Sequence, residues 1–232
     1  MNKVSVDLTQ PTPYLEKTAR LGVFKRRLTH RHYIKLIRKY STLNTTILDV
    51  GTGSGSFLVE VKRNFPDMTL SGIEYDERLV AQTNVLFGAS VCHQGNAETF
   101  DLGSQFDIVT SFQVIEHLYN PETFLANCRK HLAPGGILVI TSPNLGCVSK
   151  SVMKQKWHGF RYDHVSLKTA DDWEELISAA GLTPLYAGTT FFSGIPLLNR
   201  FPLGLVNWSL LMIFGSLPWS GGEAFVGVFR NS

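Results

Sequence analysis

At 232 residues, 44% hydrophobic, 18% charged and with a mean hydropathy of +0.02, the chain can bury a full core as one globular domain. Its 20 Gly and 10 Pro are spread without a repeat, which excludes collagenous, low-complexity and disordered classes. The net charge of +3 hides an asymmetry: residues 1–40 hold ten Lys/Arg against two acids, a surplus of +8, and the rest holds twelve against seventeen. Such an arm is expected to meet something anionic, whether lipid headgroups, nucleic acid or a phosphorylated substrate. Cys92, Cys128 and Cys147 are odd in number and form no C-x-x-C pair, so neither a disulfide framework nor a zinc knuckle is expected. The polar stretch Met1–Pro13 lacks the apolar core of a signal peptide, and a cytoplasmic location is expected.

In chain order, a basic helical arm is predicted from about Tyr14 to Tyr40, with residues 1–40 set apart from a domain over 41–232. Short apolar runs then alternate with helical patterns, as βαβ units do. Strands are predicted at 46–50, 68–74, 90–93, 106–112 and 137–141. Helices are predicted at 56–64, at 76–87 before the terminator Gly88, and at 121–132, where Pro121 suits a first turn. Thr169-Ala-Asp-Asp172 reads as a capping box for a helix ending at Gly181. A sixth strand is predicted at 183–192 and a last β-like run at 223–230. Five strands with intervening helices imply a doubly wound, mostly parallel α/β sheet.

The segment that carries chemistry is Ile47-Leu-Asp-Val-Gly-Thr-Gly-Ser-Gly-Ser56, a strand entering a glycine-rich turn and then a helix. Glycines at 51, 53 and 55 let the backbone approach a ligand, and the helix start supplies N–H groups. Glu74 follows at the end of the next strand, where a carboxylate can accept both ribose hydroxyls. The G-x-G-x-G spacing has Ser56 where a dinucleotide fingerprint needs glycine. The turn, with Asp49 before it, better suits a cationic amino-acid nucleoside.

With these landmarks the sequence resembles the class I S-adenosylmethionine-dependent methyltransferases over roughly residues 44–192, most closely the subgroup of ubiquinone-pathway, glycan and natural-product O-methyltransferases. Ile47–Gly55 looks like the family's motif I, Gly72-Ile-Glu-Tyr-Asp76 like its ribose loop, and Gly95-Asn-Ala-Glu98 like its adenine loop, with Asn96 where Asp is usual. Phe106–Leu118 and Leu132–Ile140 are similar to its fourth and fifth strands. The resemblance implies a Rossmann-like sheet of seven strands, mostly parallel with an antiparallel last strand, and an apolar insertion at 193–222. It further implies that Asp49, Gly51, Gly53 and Gly55 hold the methionine part of S-adenosylmethionine, Glu74 the ribose and Tyr75 an adenine face. Asn96 and Ala97 would meet the adenine edge, and Gln113 would line the methyl-donor side.

Methyl transfer from a sulfonium is an in-line displacement that positioning alone advances, and a base is needed only for a protonated acceptor. His117 and His164 are the candidate bases, with Glu116 beside them. Gln113-Val-Ile-Glu-His117 is similar to the E-x-x-E-H of small-RNA 2′-O-methyltransferases and ubiquinone-type enzymes, but Gln replaces the first acid. No metal is therefore expected. Signatures of base-methylating enzymes, N/D-P-P-Y/F or Pro-Cys after the fourth strand, are absent. The expected acceptor is a hydroxyl on a small molecule, lipid or glycan; the alternatives are an RNA 2′-hydroxyl or a non-catalytic interaction module. Residues 191–222 carry one charge, Arg200. The run Phe201–Trp219 is expected to lie at a membrane interface or cap an apolar acceptor, the alternative being a helical hairpin buried against the protein's own core or a dimer partner. It is not expected to span a bilayer, because in the fold this chain resembles the strands on either side return to one sheet.

Overall fold

The structure, a computed structural model, describes residues 20–43, 45–191, 195 and 202–232. The elements are α1 (Arg20–Tyr40), β1 (Thr46–Val50), α2 (Ser56–Asn64), β2 (Thr69–Glu74), α3 (Glu77–Phe87), β3 (Cys92–Gln94), β4 (Phe106–Phe112), α4 (Pro121–Lys130), β5 (Leu132–Pro143), α5 (Val148–Met153), α6 (Ala170–Ala179), β6 (Leu182–Thr189), α7 (Leu203–Phe214) and β7 (Ala224–Asn231). The seven strands form one sheet in the order β3-β2-β1-β4-β5-β7-β6. The pairs β1–β2, β2–β3, β1–β4 and β4–β5 are parallel, whereas β7 runs antiparallel to both β5 and β6. This is the seven-stranded, doubly wound architecture expected from the sequence. The order reverses between β1 and β4, and the crevice at their C-terminal ends is where such sheets bind ligands.

Alternation along the central strands sends side chains to two cores. Leu48, Val109, Leu138, Ile140, Phe225 and Phe229 face one side with Phe124, Trp173 and Ile177 from the helices. Ile47, Ile108, Ile137, Val139, Val226 and Val228 face the other with Phe57, Leu58 and Val61 of α2. Tyr33, Ile34, Leu36 and Ile37 of α1 are buried in that second core, so the C-terminal half of the basic arm is an integral layer. Its spacing of 33, 34, 36 and 37 is one face of a helix.

The predicted caps form. Asp76 accepts the N–H of Arg78 to start α3, Gly88 ends it at φ 62°, and Thr169 and Asp172 complete a capping box on α6. β5 is longer than the predicted 137–141 at both ends, and Leu132, predicted as the end of the preceding helix, instead pairs with Phe106 ahead of an irregularity in the ladder. Residues 14–19 of the predicted arm helix lie outside the described residues, as do Phe192 and residues 193–201 of the insertion apart from 195.

The described part of the insertion begins with α7, twelve residues long, and among the described residues no helix is long and apolar enough to cross a membrane. α7 sits beside α1: His32 Nε2 lies 2.8 Å from Ser216 Oγ, and a Cβ on Gly215 would meet the His32 ring at 2.1 Å. The chain then returns to the sheet, with Leu217 and Thr189 exchanging two backbone hydrogen bonds of 2.9 and 3.0 Å. Leu203, Leu205, Val206, Ile213 and Phe214 remain exposed on the outer side.

Candidate functional site

One cavity of about 890 Å³ opens at the C-terminal ends of β1, β2, β4 and β5. At one end the turn after β1 folds back, with the N–H groups of Gly51 and Thr52 both donating to the Ile73 carbonyl. Gly51 and Gly53 do different work. A Cβ on Gly51 (φ 81°) would lie 2.2 Å from Val114 Cγ2, so this glycine is needed for packing. A Cβ on Gly53 (φ 56°) would meet no atom within 4 Å, and that open space is the cavity wall where a ligand can approach the backbone. Gly55 begins α2 and does not line the cavity.

Glu74 ties the turn to β2. Its Oε2 accepts the Gly53 N–H at 2.8 Å, and its Oε1 accepts those of Tyr75 and Asp76 at 2.8 and 3.0 Å. Asp49 is buried, with Thr110 Oγ1 donating to its Oδ1 at 2.7 Å. Burial pushes its carboxyl up to about 7, opposed by the Thr110 hydrogen bond and assisted by the neighbouring Glu74 charge. Two carboxylates beside an open glycine turn suit a ligand with positive charge and vicinal hydroxyls, which S-adenosylmethionine has. Tyr75, Leu79, Asn96 and Ala97 line the adjoining wall. Asn96 Oδ1 accepts the Glu98 N–H at 2.8 Å, fixing the loop as an Asx turn. Gln113 stands at φ 58°, a conformation that costs a non-glycine residue of order 1–3 kcal/mol and clusters at functional sites. Its side-chain amide donates to Thr141 Oγ1 at 3.2 Å. Eight of the nine cofactor residues expected from sequence thus line one cavity, Gly55 being the exception.

The cavity's other end was not legible in the sequence. Tyr33 stacks on Phe112 at 4.1 Å, and Phe57 meets Phe112 edge-on at 4.8 Å, giving an aromatic wall built from α1, α2 and β4. Burial raises the Tyr33 phenol to about 12, so its hydroxyl stays protonated. Phe191, Pro143 and Leu118 add apolar surface, and His30, His158, Thr190, Asn207 and Glu223 add polar groups. The sequence offered only one signal for these, the apolar face of α1.

Of the candidate bases, His117 lines the cavity and His164 does not; their rings meet edge-on at 4.8 Å. Each commits Nδ1 to a backbone carbonyl, His117 to Asp163 and His164 to Gly159, at 2.9 and 2.8 Å. Burial raises the Glu116 carboxyl to about 8; its Oε2 takes a hydrogen bond from Ser142, and among the described residues its Oε1 has no hydrogen-bond partner. Donor atoms of Glu116, His117 and His164 lie within 4.8 Å of one another, close enough to hold a metal ion. Gln113, which replaces a carboxylate in that pattern, turns its amide to Thr141 and adds no anionic oxygen.

A family model described as a methyltransferase domain matches residues 24–187. The ubiquinone biosynthesis O-methyltransferase of Rhizobium leguminosarum bv. trifolii is 27% identical over 181 residues, covering 71% of this chain and 70% of that protein. A Mycolicibacterium smegmatis protein named a probable S-adenosylmethionine-dependent methyltransferase is 31% identical over 102 residues, 42% of this chain; the match spans 38% of that relative's length. Among solved structures, the N-methyltransferase NodS from Bradyrhizobium japonicum, in complex with S-adenosylhomocysteine, aligns at a TM-score of 0.60 and 16% identity, covering 97% of this chain and 94% of that one, a likeness of fold. With the glycine turn, Glu74 and the reversal of strand order gathered at one cavity, the chain belongs to the methyltransferase-domain family, among the class I S-adenosylmethionine-dependent methyltransferases.

Proposed function

We propose that the protein transfers the methyl group of S-adenosylmethionine to a hydroxyl of a partly apolar acceptor, a small molecule, lipid or glycan. The observation that carries this reading is the continuity of one cavity from the glycine turn to the aromatic wall and its histidines. When bound, the cofactor supplies a methyl group on a positively charged sulfur. The chain's part is to position and to manage one proton. Glu74 holds the ribose, the backbone at Gly53 holds the methionine part, and Asp49 faces the positive charge. Tyr33, Phe57 and Phe112 hold the apolar part of the acceptor against the donor and exclude water, which raises effective concentration. A hydroxyl must also lose its proton, and an imidazole on the cavity wall takes it. His117 is the sequence-derived candidate that lines the wall, with Glu116 and His164 packed behind it. Transfer is taken to be metal-independent, because Gln113 leaves the three-donor cluster short of anionic oxygen.

The acceptor is proposed to reach the cavity from a lipid surface on the cytoplasmic side. Asn207 lines the cavity, whereas Leu205, Val206 and Ile213, at 60–64% exposure, lie on another side of α7, which packs beside the basic helix α1. An apolar face beside exposed Arg31, Lys35 and Lys39 has the composition of an interfacial element on anionic lipid.

The test is S-adenosylhomocysteine release, read by mass spectrometry, with catechol, 4-decylcatechol in phosphatidylglycerol vesicles, and glucosamine. The expected order is decylcatechol above catechol, with glucosamine inactive and chelator without effect. Methylation of the amine alone would contradict the hydroxyl reading. Equal sedimentation of wild type and Val206→Asp/Ile213→Asp with those vesicles would contradict the lipid reading.

A further inference from the structure

Proton transfer in this cavity has a candidate that the sequence did not reveal. His158 lines the cavity, and its Nδ1 lies 3.3 Å from Oε1 of Glu223. Glu223 is a buried carboxylate, 3% exposed, placed just before β7. The same oxygen accepts the indole N–H of Trp157 at 2.6 Å, and Trp157 is itself buried. The Glu223 backbone carbonyl accepts the Asn144 N–H at 3.0 Å, which fixes the residue against the end of β5. A rigid carboxylate therefore faces one nitrogen of an imidazole whose side chain is 57% exposed. Among the described residues, His158 Nε2 has no hydrogen-bond partner.

We propose that His158, oriented by Glu223, is the general base that takes the proton from the acceptor hydroxyl during methyl transfer. The inference rests on the hydroxyl-methylation reading of the same cavity and names its base. A hydrogen on Nδ1 would face the Glu223 carboxylate, and Nε2 would then carry the lone pair that accepts the proton. As the acceptor oxygen bonds to the methyl carbon, the carbon–sulfur bond breaks and its electron pair stays on sulfur. The hydroxyl proton passes to Nε2, and Glu223 balances the imidazolium until that proton leaves to solvent.

The other imidazoles are less well equipped. His117 has a carboxylate nearby, Asp163 at 3.6 Å, but Arg161 already engages both oxygens of Asp163 at 2.9 and 2.8 Å. His164 is off the cavity, and burial lowers its affinity for a proton. His30 lines the cavity but is 9% exposed and packs edge-on against Phe57 at 5.4 Å. The pairing of His158 with Glu223 puts a buried acid 3.3 Å from an imidazole on the cavity wall.

Two readouts test this on the full chain. Long-range proton–nitrogen correlation spectra of histidine-labelled protein with S-adenosylhomocysteine, at pH 8, should show His158 as the Nδ1–H tautomer; the signal is identified by its loss in His158→Gln. In Glu223→Gln it should move toward the Nε2–H form that a free imidazole prefers. With catechol or 4-decylcatechol as acceptor, His158→Gln should lower kcat about 100-fold and lose the acidic limb of the pH profile. Binding of S-adenosylhomocysteine should be unchanged, and His117→Gln and His164→Gln should keep the limb. An Nε2–H tautomer in the wild type would overturn the proposal by itself, with or without turnover. An acidic limb retained in His158→Gln would overturn it too. If no hydroxyl probe is methylated, the acceptor reading fails, and the tautomer comparison alone decides the Glu223–His158 pairing.

Discussion

The two ends of the cavity are built in different ways. The donor end comes from contiguous pieces of chain: a strand, its glycine turn and the next helix, then the ends of β2 and β4. The acceptor end is assembled from α1, the loop after α5, the segment after β6, α7 and the residue before β7, positions as far apart as His30 and Glu223. Local assembly leaves a motif in the sequence; distant assembly leaves scattered residues that only folding brings together. Changes at the donor end should therefore act on the fold and on cofactor affinity, while changes at the acceptor end should act on acceptor binding and turnover.

The sharpest contrast is expected within the donor end. Gly51→Ala forces a Cβ against the stiff Val114 side chain at a left-handed φ, and should cost about 3 kcal/mol of stability in denaturant unfolding. Gly53→Ala meets no such clash and should cost about 1 kcal/mol, while weakening cofactor binding because its methyl group points into the cavity. Equal unfolding midpoints for the two would remove the distinction between a packing and a ligand-facing glycine.

At the acceptor end, Phe112→Leu removes the ring stacked on Tyr33 and should raise the acceptor KM about tenfold, with the affinity for S-adenosylhomocysteine unchanged. Steady-state kinetics beside calorimetry would show it. A parallel loss of cofactor affinity would mean that the two ends are not separable.

A smaller effect should appear with pH. The Asp49 carboxyl is raised to about 7, so it takes up a proton as pH falls through that value and ceases to attract a cationic ligand. S-adenosylmethionine binding should therefore weaken below pH 7, by several-fold at pH 6, and should release protons there as the ligand draws the group back to its charged form. The raised value also means that folding stability without ligand falls as pH rises from about 4 to 7, since the unfolded chain ionises first. Asp49→Asn should flatten both dependences, seen in calorimetry across buffers of different ionisation enthalpy and in unfolding at each pH.

The same contrast explains what could be read in advance. β1 and β4 appear at the predicted bounds because buried parallel strands are short apolar runs with sharp flanks, and α2 does because Gly55 and Phe65 bracket it. Asp49, Glu74 and Gln113 were identifiable because each sits at a strand end within a recognisable spacing. His158 and Glu223 lie 65 positions apart in segments without a motif, so nothing local marked them as partners. His164 was drawn from the same loop as His158, but the fold turns it behind His117. The basic charge of the arm suggested a detached surface element and concealed the four residues that make α1 part of the core.

The central claim is that the glycine turn and Glu74 form the cofactor seat of this cavity. Titration calorimetry of S-adenosylmethionine into the wild type, Gly53→Val and Glu74→Ala tests it most directly, with circular dichroism to verify that each variant is folded. The expected result is one site per chain in the wild type, binding at least about tenfold weaker in Glu74→Ala, where a charged hydrogen-bond acceptor is lost, and none detectable in Gly53→Val. Wild-type affinity in both variants would contradict it.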